Sequence, residues 1–192
     1  MGLAREHLRR ATADMHEALH AAAPFAQIAQ GDIDRADYGA LLRLLHRYHL
    51  GMAGGCAAGA AALDLPELAA SHRARIVRLQ DDLAFVNVPP AAVVCEPARD
   101  GAFSVGCLYT VLGSTLGGKV ISRQLESLLP GGRGRSFFTG SSTDGADWRL
   151  YCIRLEERAY PLARLEAGAR HGFGCFAALM EDWRVRRPAC AR

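Results

Sequence analysis

The sequence of 192 residues is poor in lysine, in aromatic side chains and in net charge. Lys119 is the single lysine among 23 basic residues, and the formal net charge is only +3. Such a weak positive charge excludes a strong nucleic-acid binder, although it is compatible with a local basic patch for an anionic ligand. Aromatic residues make up 7% of the chain while alanine and leucine are abundant, and this composition favours helices over sheets.

Cysteine pairs of the kind that bind metals are also absent. None of the six cysteines forms a C-x-x-C pair, so a zinc cage is not indicated. We therefore expect reduced, buried thiols in a cytoplasmic protein. The six are Cys56, Cys95, Cys107, Cys152, Cys175 and Cys190.

The sequence lacks a hydrophobic run of the roughly 20 residues that a membrane span needs. Its longest weakly polar stretch, "LGMAGGCAAGAAALDL", is shorter and rich in small residues. The first residues, "MGLAREHLRR", are charged and lack the apolar core of a signal peptide. We expect a soluble, cytoplasmic protein without a membrane span.

Periodic apolar residues predict helices along most of the chain. One amphipathic helix is expected from residue 3 to about 21, where Pro24 ends it. A long helix is expected from near Asp37 through "YGALLRLLHRYHLGMAGGCAAGAAAL", and Pro66 fits the first turn of the next. The prolines of "NVPPAAVVCEPARDG" predict a loop.

The second half of the chain continues this helical pattern. A helix is expected from Gly101 to about Leu129, followed by an exposed, mobile loop in "PGGRGRSFFTGSSTDGAD". Two further helices are expected from Trp148 to about Val185, broken or bent near Pro161. The chain is therefore predicted to be one all-α domain over residues 1–192, with six or so helices and a core large enough to hold a buried ligand.

Three glycines interrupt one of these helices, in "LYTVLGSTLGGKVIS" over residues 108–122. Gly113 and Gly117 lie on one helical face, with Gly118 beside them, and each glycine costs a helix about 1 kcal/mol relative to alanine. The spacing does not match a phosphate-binding loop, and no strand precedes it as a dinucleotide fingerprint requires. Two interpretations remain, namely close helix packing and a kinked helix that lies against a large flat ligand.

A histidine near the N-terminus is the first candidate for binding chemistry. In "ATADMHEALH", His16 lies at the edge of the apolar stripe, and Arg9 lies two turns earlier on the same edge. Together they are suited to hold a metal at one end of a flat ligand and its carboxylate at the other. The commoner alternative is a boundary histidine beside a solvated arginine. His16 and His20 also resemble half of a zinc site, but a third ligand is missing.

Two other pairs are ambiguous from the sequence. His46 and His49 in "LLHRYH" are either core histidines or, for one of them, a residue that faces a pocket. Phe173 and Phe176 in "GARHGFGCFAALMEDW" share a helix face and belong either to the core or to a pocket wall.

In their order and separation, these segments resemble haem oxygenase, especially its bacterial branch. The resemblance covers most of the chain through "LRRATADMHEALH", "DYGALLRLLHRYH", "GCLYTVLGSTLGG", "DWRLYCIRLEE" and "GARHGFGCF". It implies an all-α fold in which haem lies between a proximal helix near the N-terminus and a kinked, glycine-rich distal helix.

The resemblance also implies roles for individual residues. His16 falls on the proximal iron ligand, and Arg9 and Tyr109 fall on positions that pair with haem propionates. Gly113, Gly117 and Gly118 fall on the distal glycines that contact the haem face. Further pocket candidates are Arg149, Phe173 and Phe176.

The implied reaction is cleavage of haem at a meso carbon to biliverdin, carbon monoxide and ferrous iron. It consumes O2 and electrons from an external donor, such as a ferredoxin, a flavodoxin or a reductase. Some relatives carry an acid directly after the first distal glycine and many bacterial ones carry glutamate directly before it, whereas this chain has Ser114 and Leu112. Ser114 and Thr115, with backbone groups and water, are expected to replace that acid.

The missing distal acid keeps other functions open. The first alternative is a protein that binds or sequesters haem on the same scaffold without turnover. A second is a haem-independent helical enzyme, such as a thiaminase-like one, and a third is a purely structural adaptor.

Overall fold

The computed structural model describes residues 2–92 and 99–186, with side chains up to residue 181. Within these ranges the chain is built from helices and connecting turns without a strand, which confirms the predicted all-α class. The helices are α1 Leu3–Ala11, α2 Ala13–His20, α3 Ala23–Gln30, α4 Arg35–Gly51, α5 Ala53–Ala62, α6 Pro66–Phe85, α7 Gly101–Gly113, α8 Thr115–Gln124, α9 Ser136–Thr139, α10 Asp144–Glu157 and α11 Leu162–Arg186.

The first predicted helix is in fact two. It breaks at Thr12, whose buried hydroxyl donates to the carbonyl of Leu8 at 2.8 Å. This local bond competes with continued helix formation, as threonine hydroxyls often do. Pro24 does not simply end the helix, because it lies in the first turn of α3, which the periodicity did not predict.

The second predicted helix is also divided, at Met52, into α4 and α5. α4 begins earlier than expected because the carboxylate of Asp34 caps it, accepting from the backbone N–H of Asp37 at 2.7 Å. The next helix, α6, is confirmed with Pro66 in its first turn. The predicted break near Pro161 is confirmed as well, since α10 ends at Glu157 and α11 begins at Leu162.

The loop predicted over residues 130–147 contains helical structure that its composition did not predict. It includes the short helix α9 and the first turn of α10, and Phe137 and Phe138 are buried. Buried Asp82 on α6 anchors α9 by accepting from the backbone N–H groups of Ser136 and Phe137 at 2.9 and 2.8 Å. The prediction of an exposed segment was therefore wrong for α9.

α7 and α11 pack closely against each other in the core. A Cβ atom at Gly106 would collide with the backbone of α11 at Leu165, and one at Gly168 would collide with the backbone of α7 at Phe103. The two backbones can approach this closely only because both positions are glycine. α7 also packs on α5, where Gly59 makes the same kind of contact with Ser104.

Four cysteines lie in the described part of the chain. Cys56 and Cys107 are buried, and Cys152 and Cys175 are half-buried. The predicted burial is therefore complete for two of these four cysteines and partial for the other two, and Cys95 and Cys190 lie outside the described residues. None of the helices in the described ranges is both long enough and apolar enough to cross a membrane.

Candidate functional site

A cavity of about 570 Å³ opens between the N-terminal helices and the segment that contains the three glycines. Its wall is mainly apolar, with a few charged and imidazole groups. Pockets of this size and polarity are typical of sites for a cofactor or small molecule. The polar and charged side chains that line it are Arg5, Arg9, Thr12, His16, Glu17, His20, Tyr48, His49, Arg75, Tyr109, Thr110, Ser114, Thr115, Asp144 and Trp148.

His16 projects from α2 into this cavity. Its Nε2 lies 3.3 Å from Nε2 of His20, one helical turn later, and its ring meets the edge of Phe173 at a centroid distance of 6.2 Å. Partial burial, together with the nearby His20, lowers the pKa of His16 below its usual value. The imidazole is therefore neutral at pH 7, which is the form that ligates a metal ion.

Gly113, Gly117 and Gly118 have three different environments, although all three line the cavity. A Cβ atom at Gly113 would make an ordinary contact with the Trp148 ring at 3.6 Å, whereas one at Gly117 would meet nothing within 4 Å. At Gly118 it would lie 2.5 Å from the carbonyl oxygen of Phe138. Gly118 thus allows close packing on α9, while Gly117 leaves bare backbone beside the cavity.

The helix that carries these glycines breaks at Ser114, between α7 and α8. The Ser114 hydroxyl donates to the carbonyl of Val111 at 2.7 Å, and the Thr115 hydroxyl donates to that of Leu112 at 2.7 Å. Side-chain groups that enter the backbone hydrogen-bond ladder in this way bend helices. The two hydroxyls therefore stabilise the kink. Because each already donates its hydrogen to a carbonyl, each can take part in a further hydrogen bond only as an acceptor.

Arg75 is a functional candidate that the sequence interpretation missed. It projects from α6, is 3% exposed, lines the cavity, and donates through Nη1 to the carbonyl of Val111 at 2.8 Å. Both of its terminal nitrogens lie 3.3 Å from the hydroxyl of Ser114. The guanidinium also lies over the Phe137 ring, 4.7 Å from the ring centroid.

The burial of Arg75 has consequences for its charge. Desolvation lowers its pKa to about 10, so the side chain is still a cation at pH 7. Its Nε is buried without a hydrogen-bond partner in the described part of the protein. The sequence pattern could have revealed Arg75 through its position. It lies on the same helical stripe as Leu68, His72 and Leu79, where a core residue is expected.

A buried pair of imidazoles lies behind this part of the wall. Nδ1 of His49, which lines the cavity, is 3.0 Å from Nε2 of His72. Burial lowers the pKa of both groups, that of His72 to about 3, and the positive charge of Arg75 lowers both further. The pair is therefore neutral at pH 7. The sequence left open whether His49 belongs to the core or to a pocket wall, and in the structure it belongs to both.

Arg9 and Tyr109 both line the cavity, with different partners. The Arg9 guanidinium donates to the Glu6 carboxylate at 2.8 Å and is largely exposed. Burial raises the pKa of Tyr109, so its hydroxyl remains protonated. Arg5, which the sequence interpretation did not select, lies over the Trp148 ring at 5.7 Å and also lines the cavity.

The remaining pocket candidates divide into two groups. Phe173 and Phe176 on α11 line the cavity, and both are buried. Arg149 is exposed and is not part of the cavity wall, because it follows Trp148 on α10 and projects from another side of that helix. The structure therefore does not bring Arg149 together with the other selected residues.

A curated relative shares much of this sequence. The chain is 32% identical over 159 residues to a haem oxygenase from Xanthomonas campestris, and the match covers 79% of this chain and 95% of the relative. No protein-family model matches the chain.

Solved structures share its fold. The haem oxygenase of Leptospira interrogans superposes with a TM-score of 0.73 at 17% identity, covering 95% of this chain and all of that one. The haem-bound haem oxygenase of Synechocystis gives 0.70 at 18% identity, with coverages of 97% and 94%. The NO- and CO-bound haem oxygenase of Neisseria meningitidis gives 0.74 at 21% identity, with coverages of 100% and 96%.

Proposed function

The chain belongs to the haem oxygenase family of haem-degrading enzymes, and from this premise we propose that it cleaves haem to biliverdin, carbon monoxide and ferrous iron. The reaction consumes O2 and electrons from an external donor. Haem is the substrate, and its iron also supplies the oxygen chemistry once haem is bound.

One observation carries this proposal for the present chain. The same cavity is lined by a neutral imidazole, His16, and by a helix backbone left bare at Gly117. A flat macrocycle with a central metal needs a ligand atom on one face and room for close contact on the other. Both features are present around a cavity with apolar walls, so the residues fit haem.

His16 is the axial ligand in this proposal. Its Nε2 faces His20 at 3.3 Å, so haem binding has to replace that contact with a bond to iron. The edge of the Phe173 ring restricts the rotation of the imidazole. Because His16 stays uncharged near neutral pH, little free energy is spent on removing a proton before the metal binds.

The distal side is shaped by Gly113, Ser114, Thr115, Gly117 and Gly118. Gly117 admits the macrocycle close to the backbone, and Gly118 holds α8 against α9. Ser114 and Thr115 fix the kink through their hydroxyls. With haem bound, this wall of bare backbone would lie close to one face of the macrocycle and would restrict the space available to O2.

The propionates of haem are assigned to Arg9 of α1 and Tyr109 of α7. Arg9 and Tyr109 line the cavity, and Tyr109 is protonated and able to donate. Arg9 exchanges its bond with Glu6 for a propionate, since both acceptors are carboxylates. Phe173 and Phe176 provide apolar wall.

Three further assignments complete the proposal. We assign the electron supply to a ferredoxin, a flavodoxin or a reductase, and the location to the cytoplasm. We also infer that residues 1–192 act as one domain, because buried side chains from α1 to α11 form a continuous core.

Reconstitution with haem tests the function. The protein is mixed with equimolar haem, a reductant and air, and the absorption spectrum is followed. We expect the Soret band to disappear while biliverdin accumulates, with no change when the reductant is omitted. Stable haem binding without loss of the band would support the alternative, a haem-sequestering protein, and failure to bind haem would contradict both.

A further inference from the structure

Two histidines of the cavity wall form a pair that the proposed reaction uses only in part. His16 and His20 are one turn apart on α2, and Glu17 follows His16, so the segment reads H-E-x-x-H. On a helix this spacing places the two imidazoles on one face, as in the zinc-binding helix of metalloproteases. The function proposed above assigns His16 to the haem iron and gives no role to His20, although both line the cavity.

The two rings converge through their Nε2 atoms. These nitrogens are 3.3 Å apart, whereas the ring centroids are 4.5 Å apart, so the nitrogens are closer together than the rings that carry them. Two imidazole nitrogens bound to one zinc ion at about 2.0–2.1 Å, with a tetrahedral angle between the bonds, are about 3.3–3.4 Å from each other. The pair therefore has the spacing of two neighbouring ligands of one tetrahedral ion.

A direct hydrogen bond between the two rings accounts less well for this distance. Hydrogen bonds from N–H donors in proteins are typically about 2.7–3.2 Å long between heavy atoms. The buried pair of His49 and His72 falls in this range, at 3.0 Å between ring nitrogens. The contact between His16 and His20 is longer, and it joins two exposed side chains that water and hydrated ions can reach.

The protein supplies two ligands to such an ion. In the described part of the chain, no group of three or more histidine, cysteine, aspartate or glutamate side chains could hold a metal ion. Glu17 also lines the cavity, but it does not complete such a group. Water from the open cavity therefore fills the remaining positions, and binding is weaker than in the four-ligand cage of a structural zinc site.

We propose that His16 and His20 bind a zinc ion when haem is absent, and that zinc and haem exclude each other from the cavity. Both need the same atom, Nε2 of His16, which zinc shares with His20 and which haem takes for its own iron. Zinc is the ion that fits, because it binds imidazole nitrogens in the tetrahedral geometry that the 3.3 Å spacing matches. The zinc site stands without the function proposed above, and only the exclusion of haem rests on that function.

Calorimetric titration of the haem-free full chain with Zn²⁺ tests the site. The wild type should bind one equivalent that His16→Ala and His20→Ala each lose. The control is His7→Ala, at a histidine outside the cavity wall, which should keep this equivalent. Because His16 and His20 are exposed, their replacement leaves the core intact. Equal zinc binding in the wild type and in both cavity variants would overturn the site.

Cobalt(II) identifies the ligand atoms. In a tetrahedral site Co²⁺ absorbs visible light, and a thiolate ligand adds an intense sulfur-to-metal charge-transfer band in the near ultraviolet. We expect the visible bands without the charge-transfer band, and we expect His20→Ala to lose them. A charge-transfer band that persists in His20→Ala would place the ion on cysteine and overturn the proposal.

Haem titration in the presence of zinc tests the exclusion. At a Zn²⁺ concentration ten times its dissociation constant, the haem affinity of the wild type should fall about tenfold by mass action. His20→Ala retains His16 but lacks the zinc-binding pair, so zinc should leave its haem affinity unchanged. Unchanged haem affinity in the zinc-loaded wild type would overturn the exclusion.

Failure of this proposal is distinguishable from failure of the proposed function. A protein that loses zinc in His16→Ala and His20→Ala but never binds haem would support the zinc site and contradict the haem oxygenase function. A protein that degrades haem but binds no zinc through these two histidines would overturn the zinc site and leave the function intact.

Discussion

At the scale of single residues, the cavity separates side chains that sequence spacing treats as equivalent. His16 and His20 are one turn apart, and both line the cavity. Gly117 and Gly118 are neighbours in sequence, yet a side chain at the first would enter open space and one at the second would collide with α9. Within each pair, substitution of one residue should therefore have a different effect from substitution of the other.

Substitution of the two histidines distinguishes the axial ligand. The haem complex of His16→Ala should lose its histidine-ligated absorption spectrum and recover it when imidazole is added, because a ligand atom has been removed and the space remains. His20→Ala is the matched control and should keep the spectrum. An unchanged spectrum in His16→Ala would contradict the assignment.

Substitution of Gly117 tests the open wall. Gly117→Ala should fold at least as stably as the wild type, because its Cβ meets nothing within 4 Å and alanine favours helix by about 1 kcal/mol. Gly117→Leu should remain folded but weaken haem affinity by about tenfold or more, since its side chain occupies the cavity. Haem titration measures the affinity, and normal affinity in Gly117→Leu would place this glycine outside the site.

At the scale of helices, glycine serves packing as much as ligand binding. The two interpretations of the glycine-rich helix are both realised, at different glycines. Gly118 of α8 packs on the backbone of α9, and the α7–α11 crossing depends on Gly106 and Gly168. These close approaches fix the helices on which the cavity wall is built.

The α7–α11 crossing is tested by two substitutions on the same helix. Gly168→Ala should reduce the free energy of unfolding by about 1–3 kcal/mol or more, because its Cβ collides with backbone that cannot rotate away. Gly174→Ala is the control, as a Cβ there has nothing within 4 Å, and should be neutral or slightly stabilising. Urea denaturation measures both. Equal stabilities would show that the helices separate at little cost.

At the scale of the whole molecule, buried imidazoles make stability depend on pH. His49 and His72 stay neutral in the folded state because their pKa values are lowered, that of His72 to about 3. In the unfolded chain they bind protons below a pKa of about 6.5. Since the unfolded state then binds more protons than the folded state, stability rises with pH over this window and is lost as the pH falls.

This linkage predicts a measurable difference. Between pH 6 and pH 4, each buried neutral histidine should remove about 1 kcal/mol of unfolding free energy for each unit of acidification. His72→Gln should flatten this dependence, because it removes one of the two buried imidazoles. Urea denaturation at several pH values provides the measurement, and parallel curves for the wild type and His72→Gln would refute the assignment.

The sequence by itself determined the helical class, because apolar residues recur at helical spacing along most of the chain. The boundaries at Pro66 and Pro161 followed from proline geometry, which is local. His16 and the three glycines were singled out in their short segments, but each segment left two interpretations open. Their assignment to a haem site came from the resemblance to haem oxygenase over most of the chain.

The tertiary structure decided what depends on contacts between distant segments. The helices break at Thr12 and Ser114, where side-chain hydroxyls bond to backbone carbonyls and compete with continued helix formation. α9 is held by Asp82, which precedes Ser136 by 54 residues. Arg75, His49 and Asp144 come from three helices and meet only around the cavity. No spacing within one segment encodes that meeting, because burial and charge compensation arise only when the helices pack together.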